Sequence, residues 1–90
     1  MVELKVTAGR KIMAQFPSLK AKKMLALLTR SPLNYQVVSC VGSHRKLQSA
    51  LGYPPLNFSF HDSYTLSPGE VREILTKKVG LTDRGALNLI

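Results

Sequence analysis

The spacing of apolar positions changes twice along this chain. Between Leu19 and Arg30, Met24, Leu27 and Leu28 recur at helical spacing, and Ser18 stands where an N-cap belongs. The pattern predicts a helix that buries these three side chains. It places Lys20 and Lys23 on another side, with Lys22 near the boundary. Pro32 marks the end of that helix. From Tyr35 the period becomes two. Tyr35, Val37, Ser39 and Val41 alternate with Gln36, Val38 and Cys40, which predicts a strand rich in β-branched residues. Cys40 is expected to be half-buried and inert. Gly42-Ser43 is a turn signal. Arg45 to Ser49 then returns as a second strand of low apolar content, hence a solvated face or an edge. Gly52 to Pro55 turns the chain again. Leu56, Phe58 and Phe60 alternate with Asn57, Ser59 and His61, which predicts a third strand with His61 on its polar face.

The helical period resumes after Ser67. Ser67-Pro68-Gly69-Glu70 fits a capping box with proline at the first helical position. Val71, Ile74, Leu75 and Val79 form the stripe expected to be buried. Glu73 and Lys77 are spaced as an i,i+4 ion pair, and Lys77 and Lys78 complement the C-terminal dipole. Gly80 is the expected residue just past the helix. Thr82 caps a short final turn, with Leu87, Leu89 and Ile90 docking it. At the other end, Thr7 to Phe16 reads as a short helix that places Ile12 and Phe16 on one face and stops at Pro17. The order (α)αβββα(α) predicts an α+β fold. A three-stranded antiparallel sheet carries helices on one face and leaves the other free for a ligand or partner.

Length and composition narrow the class. Ninety residues form one domain, 1–90. No apolar run approaches the ~20 residues of a membrane span, and the first residues lack the apolar stretch of a signal peptide. A single cysteine excludes a disulfide framework, and one Cys with two His does not close a structural zinc site. The expectation is a small cytoplasmic protein with no metal, no cofactor and no membrane partner. Its net charge is +8. Residues 1–50 carry nine Lys and Arg against Glu3 alone, whereas residues 51–90 hold four cations and four acids. A fixed positive region attracts polyanions, of which nucleic acid is the commonest; an acidic protein or a merely solvated face satisfies the same count.

Few residues can carry chemistry. His44 and His61 are the side chains that titrate near neutral pH. Cutting RNA without a metal requires removing the 2′-hydroxyl proton, protonating the leaving 5′-oxygen and stabilising a charged phosphorane. Imidazole performs either proton transfer at pH 7, and Arg or Lys stabilises the charge. Gly42-Ser43-His44-Arg45-Lys46 therefore reads as a candidate site for RNA chemistry. The plainer reading makes His44 a hydrogen-bonded strand-end residue and His61 a local partner of Asp62. Lys20, Lys22 and Lys23 are either a basic patch for RNA or a solvated helix face. Tyr35, Tyr53 and Tyr64 either stack on bases or pack.

The stretch YQVVSCVGSH at 35–44, the strand LNFSFHD at 56–62 and the helix opened by Leu66-Ser67-Pro68-Gly69 together resemble the HicA toxin family. The resemblance covers about residues 19–81, with 1–18 as an N-terminal extension and 82–90 as a tail. It implies a double-stranded-RNA-binding-domain-like αβββα fold. It also implies a metal-independent mRNA interferase of a type II toxin–antitoxin system, neutralised by a HicB-like antitoxin. By this resemblance the catalytic histidine is His44. Gly42 and Ser43 match the family's Gly-Ser. Gly42, Ser43, Arg45, Lys46, Lys20, Lys23 and His61 are the expected RNA contacts. Phe60 stands where the family often has proline. A non-catalytic RNA-binding module on the same fold is the alternative. A DNA-binding protein fits less well, because strands fill the middle of the chain and no helix-turn-helix pair is evident.

Overall fold

The computed structural model describes residues 16–90, so the helix expected over Thr7 to Phe16 lies, apart from Phe16 itself, outside the described residues. In chain order the elements are β1 (Leu19–Lys20), α1 (Ala21–Thr29), β2 (Tyr35–Val41), β3 (His44–Ser49), β4 (Leu56–Phe58), β5 (Thr65–Leu66), α2 (Pro68–Glu73), a π-helical turn (Ile74–Lys78) and α3 (Asp83–Leu87). Strands β2, β3 and β4 form an antiparallel sheet in that order, and β1 pairs with β5 in a separate two-stranded ladder. The chain is thus a small α+β fold built on a three-stranded antiparallel sheet.

The first helix starts two residues later than its apolar spacing suggests. Leu19 and Lys20 are extended and pair with Leu66 and Thr65. Lys20 occupies the N-cap position without a side-chain cap, so Ser18 does not cap the helix. Backbone takes over that task. The amide of Ala21 donates to the carbonyl of Tyr64 at 2.8 Å, and that of Lys22 to Asp62 at 3.3 Å. Two amides that a helix start leaves orphaned are satisfied by the loop before β5.

Strand β3 is central, not an edge. It pairs with β2 on one side and β4 on the other. One residue anchors it: Leu47 is fully buried, while His44, Lys46 and Gln48 are exposed. Low apolar content signalled a solvated face correctly but not the strand's place in the sheet. Strand β2 is an edge, and of its seven residues only Tyr35 is buried. The Tyr35 hydroxyl donates to the Pro54 carbonyl at 2.6 Å. Burial, with Tyr53 adjacent, raises its pKa above 10.0. Beyond Tyr35 the hairpin of β2 and β3 leaves the core. Val37, Val38 and Val41 are exposed, as is Cys40, which is therefore not half-buried. Pairing runs from Val37 with Leu47 to Ser39 with Lys46, so Val38 is one extra residue, a β-bulge.

The third strand is shorter than its alternation. Its ladder ends at Phe58, and the chain turns at 61–64, where the Tyr64 amide donates to the His61 carbonyl at 2.9 Å. One hydrophobic cluster joins Met24, Leu27 and Leu28 of α1 to Tyr35, Leu47, Leu56 and Phe58 of the sheet, and to Val71, Ile74, Leu75 and Val79 of the last long helix. The helices cover one sheet face. On the other, Gln36, Ser39, Lys46, Gln48 and Asn57 are exposed.

That helix begins as expected. Ser67 Oγ accepts from the Glu70 amide at 3.2 Å, and Glu70 Oε1 accepts from the Ser67 amide at 2.9 Å. From Ile74 it widens into the π turn, where the Val79 amide donates to the Ile74 carbonyl at 2.9 Å. Side chains four apart no longer align in a wider turn, and Glu73 and Lys77 form no ion pair. Gly80 turns the chain at φ +97°, a conformation that glycine adopts without strain. Thr82 Oγ1 accepts from the Gly85 amide at 3.0 Å and starts α3. Arg72 grips Asp83 through two bonds, at 3.0 and 3.2 Å, and so fastens the tail to α2. Leu87 and Leu89 pack against the core, but Ile90 is 44% exposed and does not dock.

Candidate functional site

A two-residue loop delivers His44 to the sheet. Val41 and His44 are cross-strand partners, so only Gly42 and Ser43 link β2 to β3. Gly42 has φ +61°, which such a tight hairpin loop requires at its first position and glycine supplies at least cost. His44 thus opens β3 with its side chain on the open face, since Lys46 pairs with Ser39 and Asn57 there and side chains two apart point the same way.

On that face His44 Nδ1 lies 3.1 Å from Ser59 Oγ. Ser59 follows the end of β4, two residues after Asn57, and so arrives beside His44 through the β3–β4 register. The bond orients the imidazole and leaves Nε2 for proton transfer. A ring held at one nitrogen and exposed at the other is suited to general acid or base work. Lys46, two residues on, puts an ammonium group on the same face.

Arg45 points the opposite way. Its guanidinium donates to the Phe60 carbonyl at 3.3 Å and pairs with Asp62 Oδ1 at 3.1 Å. Of the two cations that follow His44, only Lys46 shares its face; Arg45 pins the 60–62 turn. A shallow hollow of about 520 Å³ forms there, lined by Gly42, Ser43, Arg45, His61, Asp62 and Ser63. Lys20 joins its rim, with Nζ donating to the Ser63 carbonyl at 3.2 Å. His61, expected on the polar face of the third strand, lies in this hollow, because the chain leaves the ladder after Phe58. His44 is not among the residues that line it. Lys23 lies elsewhere again, in a groove with Leu19, Ala26, Leu27, Arg30 and Ile90.

The eight candidate residues therefore divide three ways. His44 and Lys46 share the open sheet face. Gly42, Ser43, Arg45, His61 and Lys20 surround the hollow behind the hairpin turn. Lys23 stands apart on α1. Sequence reasoning missed Ser59. Its signal was the alternation Asn57, Ser59 on the polar face of the third strand, once hairpin register places that strand beside His44.

Tyr64 and Glu70 form a second polar cluster near β4. The Tyr64 hydroxyl donates to both Glu70 carboxylate oxygens at 3.1 Å, and the ring stacks on Phe60 with centroids 5.2 Å apart. The Ser67 amide bond, with help from the Tyr64 and Ser67 hydroxyls, holds the Glu70 carboxyl below its ordinary value. The bond to Glu70 raises the Tyr64 phenol in turn. Among the described residues, no three His, Cys, Asp or Glu side chains converge as metal ligands. No helix among the described residues is long and apolar enough to cross a membrane. No family model matches the chain, and neither a curated protein nor a solved structure does.

Proposed function

We propose that this chain is a metal-independent endoribonuclease of the HicA toxin class, which cuts mRNA with His44 and is neutralised by a HicB-like antitoxin. The observation that carries the reading is the imidazole of His44, exposed on the open sheet face and held through Nδ1 by Ser59. The order α1, β2–β4, α2 with helices on one face suits the αβββα arrangement of double-stranded-RNA-binding domains. In this reading Nε2 of His44 takes the proton of a 2′-hydroxyl as that oxygen attacks the adjacent phosphorus. The bond from phosphorus to the 5′-oxygen breaks, and that oxygen takes a proton from the imidazolium or from water. The products are a 2′,3′-cyclic phosphate and a 5′-hydroxyl. Lys46 stabilises the charge that builds on the phosphorane oxygens.

The test compares induction of wild type and His44→Ala. Growth arrest with mRNA decay for wild type, and neither for a stably folded His44→Ala, is the expected result. Arrest of equal depth by both variants would remove His44 as catalyst. One observation favours a second reading. His61 lies in the hollow on the other side of the hairpin, so a second imidazole does not stand beside His44. A non-catalytic RNA-binding module predicts salt-dependent RNA binding while RNA stays intact through long incubation with pure protein.

A further inference from the structure

We propose that the cavity next to Ser59 is a base-reading subsite for guanine in single-stranded RNA. This rests on the RNA reading of the His44 face. The cavity, of about 250 Å³, runs between the outer edge of β4 and the last long helix. Ser59 belongs to both places. It lines the cavity and bonds to His44, so a nucleotide seated there lies one residue from the imidazole.

The lining selects the class of ligand. Leu56, Phe58 and Ile74, all nearly buried, give an apolar floor. Phe60 adds an aromatic wall, braced by its stack on Tyr64 and by an edge contact with Phe58 at 5.2 Å. An apolar floor beside an aromatic wall, rimmed by polar groups, suits a planar ring system that carries polar edges. Two carboxylates reach the cavity, in a chain that is otherwise strongly cationic. They repel phosphate, so the backbone of an RNA stays outside and the cavity takes an uncharged group. Glu70 is committed to Ser67 and Tyr64. Glu73 has no ion-pair partner among the described residues and remains to accept. A carboxylate accepts two bonds side by side. Of the four RNA bases, guanine alone presents two adjacent donors, N1–H and N2–H, on its Watson–Crick edge. Its O6 and N7 are acceptors, which the Asn57 amide and the Lys78 ammonium at the same cavity complement.

The test measures binding of labelled 2′-O-methyl hexamers, which lack the nucleophile and stay intact, to the full wild-type chain at fixed salt. UUGUUU should bind about tenfold tighter than UUUUUU or UUAUUU. Glu73→Gln should cut that preference to under about twofold and leave affinity for UUUUUU unchanged. Asn57→Ala serves as an independent second variant and should lower affinity for UUGUUU alone. Equal affinity for all hexamers, or a guanine preference that survives in Glu73→Gln, overturns the subsite and leaves the RNA reading standing. Binding of no hexamer overturns both.

Discussion

Nδ1 of His44 and Oγ of Ser59 lie 3.1 Å apart on the open face of the sheet, joined across the register of β3 and β4. The hydroxyl fixes which way the imidazole faces, and the ring's chemistry depends on that orientation. Ser59→Ala should leave the fold intact and slow RNA cleavage by about tenfold, against the roughly 10²- to 10⁴-fold loss expected for His44→Ala. Because the bond positions the ring and does not hold the RNA, the loss should fall on kcat and leave KM unchanged. Initial cleavage rates across a range of RNA concentrations check both effects, and a loss confined to KM would overturn the positioning role.

The two cations after His44 should behave differently toward salt. Lys46 stands on the open face, whereas Arg45 is held by Asp62 and the Phe60 carbonyl. Lys46→Ala should lower the slope of log affinity against log salt by about 0.7 for single-stranded RNA. Arg45→Ala should leave that slope unchanged and cost about 1 kcal/mol of stability instead, since the pair is partly exposed. Equal loss of slope in the two variants would show that Arg45 leaves Asp62 to meet RNA.

Acid should loosen the start of the last long helix. The Glu70 carboxyl is held below its ordinary 4.5, first by the Ser67 amide. A depressed carboxyl contributes stability that is fully present above the unfolded value and is lost as pH falls through the folded one. Urea unfolding should therefore show a drop below about pH 4.5 that Glu70→Gln flattens. Ser67→Ala should cost about 1 kcal/mol at pH 7. The raised Tyr64 phenol acts at the opposite end. Its contribution is present below pH 10 and fades above it.

Leu47 and Val41 test how the hairpin divides between core and solvent. Leu47 is fully buried and Val41 is 72% exposed. Leu47→Ala should cost about 2–5 kcal/mol, enough to unfold a chain of this size. Val41→Ser should fall within about 0.5 kcal/mol of wild type. Chemical denaturation of the two variants decides it.

What the sequence made legible followed local rules. Ser67 and Glu70 read as a capping box because each partner lies within one turn of the other. Gly80 and Thr82 read as punctuation for the same reason. Tyr35 to Val41 emerged with its bounds intact on its β-branched content, but the bulge at Val38 breaks the period of two and moves Ser39 and Val41 to the face opposite Tyr35. The misses were long-range. Ser18 looks like a cap, but the Ala21 amide it would have met is taken by the carbonyl of Tyr64, more than forty residues away. The central place of β3 rests on pairing with both β2 and β4, and its one core anchor, Leu47, leaves no periodic signal. The site divides in the same way. Gly42-Ser43-His44 is a contiguous motif and visible as one. Ser59 beside His44, Asp62 beside Arg45 and the separation of His61 from His44 depend on register and on where a ladder stops.

The π turn at Ile74–Lys78 makes the last long helix a seam at which the chain can change length. Ile74 and Val79 are bonded five apart, so the turn holds one residue more than an α-helix would. Excising one of the exposed residues Lys77 or Lys78 would leave those two buried positions four apart and bonded as in an ordinary helix. Neighbouring segments that shed a residue usually slide their buried side chains out of phase. Here the surplus is already stored as a local widening, and a shorter descendant of this chain would inherit the same packed face.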